Sequence, residues 1–467
     1  MSSGLVRWRP QSLTGKEVAQ VHSILGVAMQ RLADALLQPI ALLAAVVWLL
    51  DGSFGDVAVI TVVASASLAL GSIVMPYVLG LVEDVRLVIL GASTVRAAAA
   101  ALIGILGWRV TSLEQSDFVA LLIVSVLFYQ IGSAVNVVTN PRSTIISLEQ
   151  PTTARSRQVA GAVAGIIGGL VAWRTLGNDT LTFPRSAGWL LALAGIASIS
   201  AIWFQITAPV RRGAFRHKPS LVSREEVQAL LQTGTMCRFL GFRLLFGFAD
   251  LADPFLVIYG IVQMGLGLRY VGAIILILTL AQVAGGVIWT VFRQAEGTRR
   301  SLQIAAMLRL AGITIAAGVP LIANSGAYDQ RFGSPAIGSW AFVTAFILLG
   351  LGQSTYLRNE QAYARRIAEE ESLHPASIML VNFSHIITSM AAFLGAWIID
   401  ISSLESAIVV AAMISFLALL SSGLLVGRRT PRRRVLSPGL RGPRRPSRVR
   451  KRRRFRRRKP QWQGEHT

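Results

Sequence analysis

The chain has 467 residues, 53% of them hydrophobic and 15% charged, with a mean hydropathy of +0.56. That balance excludes an ordinary soluble globule and points to a membrane protein. The formal charge of +23 is not a nucleic-acid signature, because residues 428–467 hold eighteen Lys and Arg against the one acid Glu465, which leaves +6 for the other 427 residues. A single cysteine, Cys237, excludes an intrachain disulfide framework and a thiolate metal site, and reads as a packing thiol.

In chain order, apolar runs of spanning length fall near 22–50, 57–81, 87–108, 118–138, 158–173, 187–207, 239–262, 271–292, 301–323, 340–357, 377–399 and 406–426. A bilayer span needs about 20 residues, so these predict an all-α membrane protein with twelve transmembrane helices. Runs five and ten are the least regular. The polar start, followed by a first run too long for an h-region, argues against a cleavable signal peptide. With both termini in the cytoplasm, the connections put eighteen Lys and Arg inside, among them Arg86, Arg142, Arg211, Arg299, Arg300 and Arg358, and only Arg109, Arg174, Arg185, Arg269 and Arg331 outside. This bias sets the expected orientation in the cell membrane.

The longest internal loop splits the spans six and six, giving an N-terminal half (1–207), a linker (208–238), a C-terminal half (239–427) and a tail (428–467). In the linker, Ser223-Arg-Glu-Glu226 is a capping box followed by Val227, Leu230 and Leu231, which predicts a short amphipathic helix on the cytoplasmic surface. The halves echo one another. Arg86 and Arg96 recur as Arg299 and Arg309 at an offset of 213, and Arg31-Leu32 recurs as Arg243-Leu244 at 212. A duplicated six-helix unit, two pseudo-symmetric bundles, follows.

Twelve spans in two halves, cytoplasmic termini and a basic central loop resemble the major facilitator superfamily of secondary transporters, over roughly residues 18–427. That family's gating-loop motif between helices 2 and 3 is matched by Gly80 and Asp84, with Arg86 beyond them, while Val85 and Leu87 depart from it. The second copy keeps Gly297, Arg299 and Arg300 and lacks the acid. A glycine-proline motif of drug antiporters is incomplete in the fifth run, which has Gly161, Gly165, Gly168 and Gly169 but no proline. The resemblance implies alternating access around a central cavity.

Three acids stand in apolar runs, where a charge costs about 2.5–3.5 kcal/mol on insertion scales and is kept for a partner or a moving ion. Asp34 lies three residues after Arg31, close enough for a local ion pair. Asp250 and Asp253 are one turn apart in the seventh run, just before Pro254, whose ring removes a helical hydrogen bond. Two near carboxylates do not both ionise easily, which suits a proton or cation carrier. Arg243, on roughly the same face, is a rival partner that neutralises Asp250. Asn382, His385 and Ser389 form one polar stripe in the eleventh run, either interhelical glue or substrate contacts, with His385 a further coupling candidate. Tyr129, Gln130, Asn136, Gln353 and Tyr356 are weaker cavity candidates, and the repeat-related Arg96 and Arg309 read as structural charges. Gly285 and Gly286 read as packing.

The expectation is therefore a proton- or ion-coupled transporter of a small molecule, with no metal and no cofactor. The alternatives are an uncoupled facilitator, a drug or lipid exporter, or a transporter-fold sensor or scaffold. No HExxH, Gly-x-Ser-x-Gly or P-loop pattern supports an enzyme. The Arg-rich tail has the composition of a disordered segment that binds anionic lipid, at about 1 kcal/mol per basic residue near the surface. Specific nucleic-acid binding is not expected of it. Tags at Thr467 and within 211–218 will both report the cytoplasm, and one at Asp329 the opposite side; protease protection that separates Thr467 from the central loop would end the twelve-helix topology.

Overall fold

A computed structural model describes residues 15–82, 85–146, 151–207, 222–323, 335–368 and 373–425. Among these, twelve helical spans are long and apolar enough to cross a membrane: α1 Gln20–Leu49, α2 Phe54–Leu81, α3 Leu87–Arg109, α4 Gln115–Val135, α5 Ser156–Leu176, α6 Arg185–Phe204, α7 Gly234–Met264, α8 Leu268–Gly286, α9 Gly297–Ala323, α10 Ile337–Ile367, α11 His374–Ile401 and α12 Leu404–Ser422. The chain is an all-helical, multi-pass membrane protein. The tail and the loop 208–221 lie outside the described residues.

Local chemistry explains where the helices start and break. Ser53 opens α2 with a capping box in which its hydroxyl accepts from the Asp56 backbone N–H and Asp56 accepts from the Ser53 backbone N–H. Ser223 and Glu226 form the expected box ahead of the linker helix Arg224–Leu231. Only part of its expected apolar face is covered: Leu230 is buried and Val227 packs beside it, while Leu231 is exposed. Cys237 is likewise exposed, its thiol on the Leu231 carbonyl at 3.0 Å, rather than packed in the core.

In α7, Pro254 sits at the first turn of a new helical segment, Asp253–Met264, entered through a tighter turn over Ala249–Ala252. A proline there lacks an N–H that would have had no partner anyway, so the helix changes pitch instead of losing a bond in its interior. Between α8 and α9 the turn is made by Gly297 at φ 82°, ψ 164°, a conformation open essentially to glycine. The tenth span runs well past the expected end at residue 357, to Ile367, carrying Arg358 and Glu360 into the helix.

The core is uneven along the bundle. One continuous apolar cluster joins both halves at the end where α1 meets α2, uniting Leu42 and Val46 of α1, Val57 of α2, Phe255 and Ile258 of α7 and Ala396 of α11. Trp48 stacks on Phe54, whose ring meets the Phe255 edge 5.9 Å away across the halves. At the opposite end a second cluster draws only on the linker helix and on α7 and α9 to α12. There Tyr77 of α2 meets Met379 of α11 across the halves at 3.8 Å.

The α5 glycines form the seam between halves. A Cβ added to Gly169 would lie 2.8 Å from Leu276 Cα, and one on Gly165 3.3 Å from Thr279 Cγ2. Gly169→Ala overpacks this seam and is expected to cost about 1–3 kcal/mol, read as a lower unfolding temperature in detergent. Gly241→Ala in α7, which meets nothing within 4 Å, will leave that temperature unchanged or raise it. Equal behaviour of the two variants would show that the seam is not close-packed.

Candidate functional site

Side chains of α7, α9, α10 and α11 converge on a charge cluster. Arg309 of α9, 2% exposed, clasps Asp253 with two hydrogen bonds, Nη2 to Oδ1 at 2.7 Å and Nη1 to Oδ2 at 3.2 Å. Its Nη1 also lies 2.8 Å from Asp250 Oδ1, an ion pair whose geometry is not that of a hydrogen bond. The pitch change at Ala249–Ala252 lets both carboxylates address one guanidinium. Phe246 lies beneath Arg309, its ring centre 5.7 Å from the guanidinium carbon, and stacks on Tyr356 at 4.0 Å.

The expected Arg243–Asp250 pair does not form. Arg243 pairs with Glu360 of α10, donates to the Tyr356 hydroxyl at 2.6 Å and the Val381 carbonyl at 3.1 Å, and bonds the Ser384 hydroxyl of α11. Seven residues of helix separate Arg243 from Asp250 by roughly 10.5 Å of rise, beyond direct bonding, whereas α10 and α11 present their groups sideways. Glu360 is not among the sequence-predicted site residues because the polar stretch Arg358-Asn-Glu360-Gln reads as a loop. Its signal was an acid one turn after Tyr356 in a helix that had not visibly ended.

The N-terminal half has its own hub. The Tyr129 hydroxyl of α4 receives Nε2 of Gln30 and Nη2 of Arg96, each at 3.1 Å, with Ser198 Oγ of α6 at 3.2 Å. Arg96 is fully buried over the Tyr129 ring and has its Nε unpaired. Gln30 also donates to Asp34 at 2.6 Å, and Arg31 lies 3.8 Å from Asp34 in the expected local pair. Asp34 therefore belongs to a network separate from that of Asp250 and Asp253, and the three do not form one site.

The remaining candidates disperse. Asn382, His385 and Ser389 are half-buried, and Ser389 bonds the His385 carbonyl of its own helix; the α11 residues that meet α7 include Val381, Ser384 and Thr388, the last against Gly247. Gln130 is half-buried, and Gln353 Oε1 is buried without a partner. Of the gating-loop residues, Gly80 closes α2, Gly297 makes the break already described, and Arg299 donates to the Gly423 carbonyl at the end of α12 at 3.0 Å, a cation at a helix C-terminus. Arg300 is exposed. Asp84 and the side chains of Arg86 and Asn136 lie outside the described residues. Among the described residues no group of three His, Cys, Asp or Glu is arranged to hold a metal.

Solved structures with this architecture are membrane transporters. A mutant of the nucleoside transporter NupG superposes with a TM-score of 0.63 at 14% identity, over 88% of this chain and 100% of that one. A POT family transporter in complex with 5-aminolevulinic acid gives 0.62 at 13%, over 87% and 96%. A bacterial homologue of the iron transporter ferroportin, in its inward-facing state, gives 0.59 at 14%, over 89% and 99%. No protein-family model matches the sequence, and no curated protein does. The chain thus has the fold of twelve-helix membrane transporters, the architecture that its resemblance to the major facilitator superfamily implied.

The pairing in the C-terminal half makes a distinct prediction. Glu360→Gln leaves Arg243 buried and unpaired and is expected to cost about 3–5 kcal/mol, seen as a lower unfolding temperature. Arg243→Gln combined with Glu360→Gln recovers most of the loss, and Arg243→Gln with Asp250→Asn does not. Recovery by the Asp250 pair instead would restore the sequence-based assignment.

Proposed function

We propose that the protein is a secondary transporter that carries a small molecule across the cell membrane by alternating access, and that the α7 carboxylates, held by Arg309 of α9, couple this to a proton. One observation carries the reading: the cluster sets three carboxylates, Asp250, Asp253 and Glu360, against two guanidiniums, Arg243 and Arg309. With every group ionised it holds one excess negative charge among apolar helices, where such a charge is expensive. A single proton removes the excess. Asp250 is the member placed to take it, with 33% of its side chain exposed against 11% for Asp253. When Asp250 is protonated, Arg309 keeps a one-to-one clasp with Asp253; when the proton leaves, the extra charge weakens that arrangement and favours another packing of α7.

The sealed end of the bundle supports alternating access. Both halves share an apolar core where α1 meets α2, and among the described residues the cluster at the opposite end draws on the linker helix and the C-terminal half. With the termini cytoplasmic, as the distribution of Lys and Arg favours, this conformation is closed outward. The two halves move as the rigid units, the 208–238 linker connects them, and the Arg-rich tail rests on anionic lipid of the inner leaflet.

Proteoliposomes carrying the wild-type chain, screened with a solute panel, will accumulate substrate only with a pH gradient. Asp250→Asn will abolish that accumulation while sparing exchange of the same solute. Undiminished, still gradient-dependent accumulation in both Asp250→Asn and Asp253→Asn would remove this pair as the coupling site.

A further inference from the structure

Extension of α10 carries Arg358, which the sequence places in a loop, alongside α8. Its guanidinium lies over Gly286 of α8, where an added Cβ would collide with Nη2. On the other side of the seam, the stem of Arg31 of α1 rests on Gly161 of α5, with Cγ 3.1 Å from where a Cβ would stand. Because α5 and α8 pack directly through Gly165 and Thr279, the four helices α1, α5, α8 and α10 form one continuous wall with a guanidinium at either side of its seam. The two cations come from opposite halves, and the Arg31 carbonyl of α1 and Thr279 of α8 meet over the same glycine, Gly165. Both side chains are exposed, one on each side of this seam between the halves.

Their pairing is incomplete. Arg358 makes no hydrogen bond or ion pair among the described residues and is exposed. Arg31, 65% exposed, has Asp34 at 3.8 Å, a carboxylate already bonded by Gln30. Two guanidiniums flanking one seam repel each other, and both are exposed with donors to spare. An anion with two or more oxygens satisfies both, since the guanidinium fork matches carboxylate and phosphate.

We propose that Arg31 and Arg358 together bind the acidic group, carboxylate or phosphate, of an anionic substrate in the gap between the halves. This rests on the transport reading above and gives its substrate a class. A cationic substrate is repelled there, whereas an anion draws α1 and α10 together as it binds. The glycines at 161 and 286, which the sequence assigned to packing alone, keep the two forks at the gap.

Binding to the purified full chain in neutral detergent tests this without requiring transport, with succinate and inorganic phosphate as probes and succinamide as the uncharged control. We expect one or both anions to bind and succinamide not to. Arg31→Gln and Arg358→Gln should each weaken binding at least tenfold, Arg358→Lys should recover part of it, and Arg109→Gln at the far end of the bundle should leave it unchanged. The preferred probe tells carboxylate from phosphate. Should neither anion bind, or should Arg358→Gln bind like wild type, the proposal is overturned; it is equally overturned if phosphatidylglycerol added to the detergent is the one anion that the arginine pair recognises. Uptake of neutral or cationic solutes that ignores Arg358→Gln would sink the anion site and leave the transport reading standing. Arginine-dependent anion binding without any uptake would do the reverse.

Discussion

The C-terminal half depends on one guanidinium. Arg309 enters from α9 and takes two carboxylates from α7 in a region walled by Phe246 and Tyr356. In so weak a dielectric, charges at hydrogen-bonding distance interact far more strongly than they do in water, and the cost of stranding any of them is correspondingly high. The pitch change before Asp253 exists in this context. It turns two carboxylates, one turn apart, toward a single cation, and it places Pro254 where its missing N–H costs nothing. Sequence, backbone geometry and charge placement are here one constraint.

Glycine supplies the complementary constraint. Membrane helices gain little from hydrophobic association among themselves, so close packing and polar contacts hold them together. Gly165 and Gly169 let α5 lie against α8, Gly168 lets it lie against α1, and Gly132 makes room for the Arg96 stem. The same property has a second use at Gly286, where the Arg358 guanidinium takes the place of the missing side chain, and in part at Gly161, where the Arg31 stem and Val27 do. A glycine that accommodates a charge differs in kind from one that accommodates a backbone, and spacing alone does not separate them.

Much of the fold was legible in the sequence. Length and hydropathy located twelve spans, and Ser223 with Glu226 marked the linker helix, because these signals are local. Charge partners were not legible, because they depend on which faces of different helices meet. Arg31 and Asp34, three residues apart on one helix, paired as expected; Arg243 and Asp250, seven apart, did not, since lateral groups on α10 and α11 were nearer. Glu360 and Arg358 were lost for another reason. A hydropathy window ends a span at its first polar stretch, whereas a helix lining a polar gap continues through one, so the residues of greatest chemical interest fall where the window stops.

The repeat itself separates structure from chemistry. Both halves carry a buried arginine at the same repeat position, Arg96 and Arg309, and a buried tyrosine hub, Tyr129 and Tyr356. In the N-terminal half the hub is completed by neutral groups, Gln30 and Ser198, and its cation meets an aromatic face and a hydroxyl. In the C-terminal half Asp250, Asp253 and Glu360 have been added around the same frame. The N-terminal hub reaches an acid only through Gln30, which bonds Asp34, whereas in the C-terminal half carboxylates take the arginines directly. With the α7 acids, the C-terminal cluster holds one carboxylate more than it has arginines, and the proposed proton coupling rests on that excess.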